Sequence, residues 1–246
     1  MPGNSLRIRM NHSNLLPLAT ILLRMISPSK KFGRLYDAVM FLPEKLVLRS
    51  RRKKLLSGLS GNILEVGIGT GTNLEFYGPD VRVLGIEPSP HMFAKAEKRK
   101  EELPDSERFM LFNFEYGDAE MRDLIAPESL DAIVCTLVLC TIPNPVLAVS
   151  SFMKWLIPGG SLLILEHIKS HGNLEIKLQN RLNIHWEKLA EGCQLNRQTD
   201  ILLKKSGFEL FRESYFRLGL PFYEAEFRKP EKKNKTARLN SFAVLF

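Results

Sequence analysis

The sequence predicts an α/β fold: a seven-stranded, mostly parallel sheet with helices on both faces and an antiparallel C-terminal strand. Three observations predict it. Five apolar, strand-like runs follow one another between Asn62 and Ile168, separated by helical or loop-forming segments. The first of them, "NILEV", leads directly into Gly67-x-Gly69-x-Gly71. The chain then closes with "FELFRESYFRL" and "PFYEAEF", two strand-like runs with no helix between them, as an antiparallel pair requires.

Taken in order, residues 32–57 read as one or two helices with a break at Pro43, and Gly58 and Gly61 mark a turn. "NILEV" is mostly apolar, as a parallel-type strand covered on both faces is expected to be. From Thr72 the spacing predicts a helix whose N-terminus points back at the glycine loop. "VRVLGIE" is the second strand, and Ser89 is placed to cap the helix "PHMFAKAEKRKEEL", which ends before Pro104. "RFMLFNFEYGD" and "LDAIVCTLVL" are the third and fourth strands, "PVLAVSSFMKWL" is a helix, and "GGSLLILEHI" is the fifth strand. "NLEIKLQNRLNIHWEKLAEG" and "NRQTDILLKKSG" form a helical insertion over about 174–206.

The length of 246 residues suits one core, so we read one domain, 58–228, with tails. Residues 1–57 form a basic N-terminal segment with lid helices, and 229–246 form a basic tail expected to be disordered. The formal charge of +8 belongs to these ends: residues 1–60 hold twelve Lys/Arg against Asp37 and Glu44, and 228–238 hold six against Glu231. The body between is net acidic. Such tails suit solvation or peripheral contact with an anionic membrane surface better than nucleic acid, whose enzymes spread basic residues around the cleft. The apolar run Leu15–Leu23 is too short to span a bilayer and contains Pro17. Residues 1–36 hold six Lys/Arg and no acid, a composition shared by organelle presequences and interfacial helices. Cys135, Cys140 and Cys193 show no paired metal-ligand spacing, so neither a disulfide framework nor a metal site is expected, and the compartment is a reducing one, cytoplasmic or at a membrane periphery.

In an open α/β sheet ligands bind outside the carboxyl ends of the strands. The glycines of the first loop allow positive φ and close approach of a ligand to the backbone. Their spacing is wrong for a dinucleotide, which requires the third glycine three residues after the second. Glu65, near the end of the first strand, is placed to face a cationic amino group. Glu87 ends the second strand twenty residues after Gly67, where an acid accepts hydrogen bonds from both ribose hydroxyls. "GDAE" puts Asp118 where it can accept from a purine amine, with Ala119 leaving room for the ring; the plainer alternative is a turn at Gly117. No Gly-Lys-Ser/Thr follows the loop and no arginine lies in it, so nothing there cradles phosphates. The ligand that fits is S-adenosylmethionine (AdoMet).

With "LEVGIGTGTN", "GIEPSPHM", "GDAE", "LDAIVCTLVLCTIPNP" and "LIPGGSLLILEH" in order, the chain resembles the class I AdoMet-dependent methyltransferases over roughly 61–227. The resemblance implies a Rossmann-like fold and adds Asn73, Pro88, Met92, Thr136 and Leu137 to the cofactor-binding set. "CTLVLCTIPNP", "LEHI" and "WEKLAEGCQLNRQT" are similar to the methyltransferase type 11 branch that contains thiol S-methyltransferases and bacterial relatives. That implies a small-molecule acceptor, first a thiol. Both ends depart from the branch, so its long N-terminal membrane anchor is not expected here.

Methyl transfer from a sulfonium needs no protein nucleophile, only a positioned acceptor and excluded water. His167, beside Glu166 at the end of the fifth strand, is the best-placed candidate base; a structural histidine at a loop is the alternative. His185 and Trp186 on the insertion belong to the expected cover over the acceptor, Trp186 more as packing than as a stacking surface. Tyr36 and Asp37 head the N-terminal helix region, where the resemblance implies a lid over the cofactor. Cys193 reads as a small residue at a helix–helix corner or as a reactive thiol. Two further readings remain: phospholipid or other amine N-methylation, to which a basic N-terminus is suited, and a non-catalytic AdoMet-binding assembly protein.

Overall fold

The computed structural model describes residues 47–232 except 119, 120, 122 and 123. A basic helix α1 (Arg49–Leu56) precedes β1 (Gly61–Val66), a single 3-10 turn (Leu74–Phe76), β2 (Val81–Ile86), α2 (Pro90–Glu101), β3 (Phe109–Phe112) and β4 (Leu130–Thr136). There follow α3 (Pro145–Trp155), β5 (Leu156–His167), α4 (Asn173–Leu189), α5 (Thr199–Lys204), β6 (Glu209–Leu218) and β7 (Leu220–Arg228). The seven strands form one sheet in the order β3-β2-β1-β4-β5-β7-β6. β1 to β5 pair in parallel, and β7 lies antiparallel to both β5 and β6. The expected α/β architecture, with its antiparallel C-terminal strand, is the one observed.

Strand alternation sorts the core into two layers, because successive side chains point to opposite faces. Leu64, Val66, Ile133, Cys135, Leu162 and Ile164 join one cluster with Phe152 and Trp155 of α3 and Leu203 of α5. Ile63, Ala132, Val134, Leu163 and Leu165 join the other with Leu55 and Leu56 of α1 and Ala96 of α2. Both sheet faces are therefore covered, and the strands read as continuous apolar runs. α4 is held differently. Its leucines Leu174, Leu178 and Leu182 are exposed, and its buried anchor is Gln179, which accepts from Ser170 N–H and donates to the carbonyls of Ile168 and Leu195.

Several elements differ from the sequence expectation. No α-helix begins at Thr72; Gly78 and Pro79 follow too soon for one, and the chain makes a single 3-10 turn over Leu74–Phe76. The third strand ends at Phe112, because Asn113 turns its amide to the carbonyls of Glu87 and Pro88 instead of continuing the ladder. Asp118 consequently lies beyond the strand. The fourth strand stops at Thr136, where Leu137 takes φ 58°, and Glu166 Oε1 receives the N–H groups of Val138 and Leu139 at 2.8 Å each. The apolar "LVL" is thus a loop packed on a buried acid.

Part of the terminal basic charge is structural. Arg49 makes a two-pronged pair with Glu75, Arg51 pairs with Glu224 at 2.7 Å and stacks 3.7 Å over the Phe216 ring, and Arg52 is only 5% exposed. At the other end the tail does not leave the domain at residue 229: Lys229 exchanges backbone bonds with Gly159 and Gly160, and Lys229 and Lys232 both reach Glu128. The run Leu15–Leu23, the presequence-like segment 1–36, Tyr36 and Asp37, and the remainder of the tail lie outside the described residues. Among the described residues no helix is long and apolar enough to cross a membrane.

Candidate functional site

The loops at the carboxyl edge of the sheet converge around three buried acids. Gly67, Gly69 and Gly71 all take positive φ, which glycine alone adopts without cost. A Cβ at Gly67 would lie 2.3 Å from Val138 Cγ2, so that glycine is required by packing. A Cβ at Gly69 would meet nothing nearer than the Gly67 carbonyl at 4.0 Å, and the space above it is open. Gly71 lets the loop approach Ala96 of α2.

Glu87 ties the end of β2 across to this loop. Its Oε2 accepts Gly69 N–H at 2.9 Å and its Oε1 accepts Ser89 N–H at 2.9 Å. Burial raises the carboxyl to about 7, with the two amides pulling the other way. The same loop exposes Pro88 and buries Met92 in the first turn of α2. The backbone at Gly69 is thus left bare beside an acid that its own amide fixes. No lysine or arginine lies between residues 67 and 73, so the loop does not suit a diphosphate.

Glu65 is buried beneath the loop. Asn73 Nδ2 donates to its Oε1 at 2.7 Å and Tyr77 OH to its Oε2 at 2.8 Å. Desolvation raises this carboxyl also to about 7, while Tyr77, Asn73 and the charge of Arg52 lower it. Arg52 donates to Asn73 Oδ1 at 2.8 Å and to Thr136 Oγ1 at 2.9 Å, joining α1, the glycine loop and the end of β4. The cation that faces Glu65 from within the chain is therefore Arg52. Neither Arg52 nor Tyr77 stood out in the sequence: Arg52 was hidden in "RSRRKK", which reads as surface charge, and Tyr77 follows the expected but unformed helix.

Asp118 closes a turn at Gly117, accepting Glu115 N–H at 2.8 Å, and Ala119 lies outside the described residues. Thr136, the last residue of β4, accepts from Arg52 and Asn73, and Leu137 follows it at positive φ. His167, the last residue of β5, is buried; its Nε2 lies 3.2 Å from Cys193 Sγ, and its Nδ1 has no hydrogen-bond partner among the described residues. Cys193 Sγ is in turn 3.6 Å from Cys140 Sγ. Burial raises the Glu166 carboxyl to about 7. His185 is exposed on α4, away from this cluster's buried side, whereas Trp186 is half-buried.

The insertion is fastened to the loop after β4 by Arg197, which donates to the carbonyls of Leu139 at 2.6 Å and Ile142 at 2.5 Å, and by Gln194 N–H to the Cys140 carbonyl at 3.0 Å. "GCQLNR" is thus a strap that sets Cys193 against Cys140. At the opposite, amino edge of the sheet, a surface depression bordered by Asp80, Arg82, Arg108 and Asp131 lies away from all of these loops.

A family model described as a methyltransferase domain matches residues 64–164, which span β1, the glycine loop and most of β5. Human thiol S-methyltransferase TMT1A is 30% identical over 182 residues, covering 70% of this chain and 73% of that protein. The chain belongs to the class I AdoMet-dependent methyltransferases, type 11 branch. Human thiol S-methyltransferase TMT1B is 36% identical over 151 residues, 59% of this chain and 60% of that protein, so the chain matches well under two thirds of that relative's length. Phosphatidylethanolamine N-methyltransferase of Cereibacter sphaeroides is 29% identical over 119 residues, 48% of this chain and 57% of that one. Among solved structures, phosphoethanolamine N-methyltransferase 2 of Haemonchus contortus, in complex with S-adenosylhomocysteine, superposes with a TM-score of 0.58 at 16% identity, over 74% of this chain and 53% of that one, a likeness of fold.

Proposed function

We propose that this protein transfers the methyl group of AdoMet to a small-molecule acceptor, and that the acceptor is a thiol. The observation that carries the cofactor half is Glu87, whose carboxylate is held at the end of β2 by Gly69 N–H beside the open face of the glycine loop. Glu87 would receive the ribose hydroxyls, Gly69 would give the nucleoside room, and Asp118 would lie on the purine side. Arg52 and Asn73 keep the Glu65 end of the loop rigid and offer a guanidinium toward the methionine carboxylate. AdoMet, when bound, supplies an electrophilic methyl group on a sulfonium whose charge is lost on transfer. What the protein must add is a positioned acceptor, a path for its proton and exclusion of water. His167, at the end of β5, is the group placed to hold or pass that proton.

The thiol half rests on the named thiol S-methyltransferase relatives. Incubation with methyl-labelled AdoMet and a panel of alkyl and aryl thiols tests it, and labelled thioether is the expected product. Label appearing only in phosphatidylethanolamine vesicles would move the acceptor to an amine, the reading favoured by the Cereibacter sphaeroides relative. AdoMet binding without transfer to any acceptor would leave an AdoMet-binding assembly protein. For location, peripheral membrane contact through residues 1–36 is proposed; binding to anionic vesicles that survives their removal would contradict it.

A further inference from the structure

Linear spacing held no metal signature, yet the fold gathers Cys140, His167 and Cys193 so that one ligand atom from each lies within 4.8 Å of the other two. The Sγ atoms of Cys140 and Cys193 are 3.6 Å apart, and His167 Nε2 is 3.2 Å from Cys193 Sγ. With metal–sulfur bonds of about 2.3 Å and metal–nitrogen bonds of about 2.0 Å at tetrahedral angles, the corresponding edges would be roughly 3.8 and 3.5 Å. The two observed edges that meet at Cys193 Sγ are close to these values, and the third, between Cys140 and His167, is within 4.8 Å. Each ligand comes from a fixed element. His167 ends β5 in register with Phe222, Cys140 follows β4 in the loop clamped by Arg197, and Cys193 follows Gly192 with its N–H bonded to the Ala190 carbonyl.

The surroundings also suit a cation. Cys140 and His167 are buried, the His167 Nδ1 and Glu166 Oε2 atoms have no hydrogen-bond partner among the described residues, and Cys193 is partly open to solvent. Two thiols and an imidazole are soft ligands that select zinc-like ions over magnesium or calcium. A disulfide would account for the cysteines alone, would need the sulfurs to close to about 2.05 Å, and would give His167 no part.

We propose that Cys140, His167 and Cys193 bind a thiophilic divalent cation, with Zn²⁺ the first expectation, and that its remaining position takes the acceptor as a thiolate. The second half rests on the thiol reading above. Three protein ligands leave one tetrahedral corner open, the arrangement of catalytic rather than structural zinc. Cation binding displaces the protons of the Cys140 and Cys193 thiols to solvent, and a thiol coordinating at the open corner likewise loses its proton to solvent and stays anionic at neutral pH. With the ion bound His167 acts as a ligand, and its proton-holding role applies only without the ion. The acceptor sulfur would thus reach the same carboxyl edge of the sheet as the cofactor loops.

The test is titration of the chelator-treated, full-length protein with Co²⁺ alone, read by absorption. One equivalent with a thiolate-to-cobalt charge-transfer band, displaced by Zn²⁺, is expected. Cys193→Ser should weaken binding by at least the roughly tenfold to hundredfold seen when outer-shell groups are changed, while AdoMet affinity measured by calorimetry stays the same. Absence of the band, unchanged cobalt affinity in Cys193→Ser, or a Cys140–Cys193 disulfide in reducing buffer without bound ion would overturn the site. Adding an alkyl thiol without AdoMet should shift the cobalt bands; bands that ignore the thiol would overturn the acceptor role. Failure of the thiol reading itself is separate: it would appear as no labelled thioether even from the zinc-reconstituted protein.

Discussion

Arg52 of α1 donates to Asn73 Oδ1 at 2.8 Å, bringing a guanidinium from the basic N-terminal side of the chain into the buried network of Glu65. Removing it leaves Asn73, Thr136 and an acid of raised pKa without their cation. Arg52→Ala should lower stability by about 3 kcal/mol, the scale for breaking a buried charged contact. Urea denaturation measures it. A loss below about 0.5 kcal/mol, the range of ordinary surface substitutions, would show that α1 is not latched through this residue.

Glu65, Glu87 and Glu166 carry the pH dependence together. All three carboxyls are raised from 4.5 to about 7 in the folded chain, chiefly by burial, so between those values the native state holds protons that the unfolded chain has released. Their contribution is fully present below about pH 4.5 and is lost as pH rises through 7, with a slope of about 1.4 kcal/mol per pH unit for each retained proton. Ribose hydroxyls donate best to the ionised Glu87, so AdoMet affinity should move oppositely, increasing from pH 6 to 8. Denaturation midpoints and calorimetry across that range check both signs; stability and affinity rising together would contradict the assignment.

Gly67 and Gly69 should separate packing from binding. Gly67→Ala forces a methyl against Val138 at a position of positive φ and should cost about 2–5 kcal/mol of stability, overpacking and backbone strain together. Gly69→Ala meets open space and should cost about 1–2 kcal/mol through its positive φ alone, yet reduce AdoMet affinity more than tenfold by filling the nucleoside's approach. Thermal melts and AdoMet titrations of both variants measure the contrast. Equal AdoMet affinity in wild type and Gly69→Ala would place the nucleoside elsewhere.

The sheet was legible because its central strands are covered on both faces, so "NILEV", "LDAIV" and "SLLILEH" are mostly apolar, with acids only at Glu65, Asp131 and Glu166. Their ends were less so. Leu137 to Leu139 look like more strand, but a buried carboxylate four strand positions deep in "LLILEH" captures their amides, and nothing local to "TLVLC" announces an acceptor from Glu166. Glu65 and Glu87 could be read because each stands at or near the end of a strand that leads into the carboxyl-edge loops; both are buried there. Arg52 could not, since a helix of consecutive Arg and Lys conceals which side chain turns inward. The Cys140–His167–Cys193 cluster was invisible for a related reason: its members come from three segments, and the Arg197 strap that joins them acts through backbone carbonyls.

Calorimetric titration of AdoMet into wild-type and Glu87→Ala protein tests the cofactor assignment most directly. Saturable one-to-one binding to the wild type is expected, with negligible affinity for NADH. Glu87→Ala should lose about 1–3 kcal/mol of AdoMet binding energy, the scale for hydrogen bonds to a charged group. AdoMet affinity unchanged in Glu87→Ala, or NADH bound more tightly than AdoMet, would contradict it.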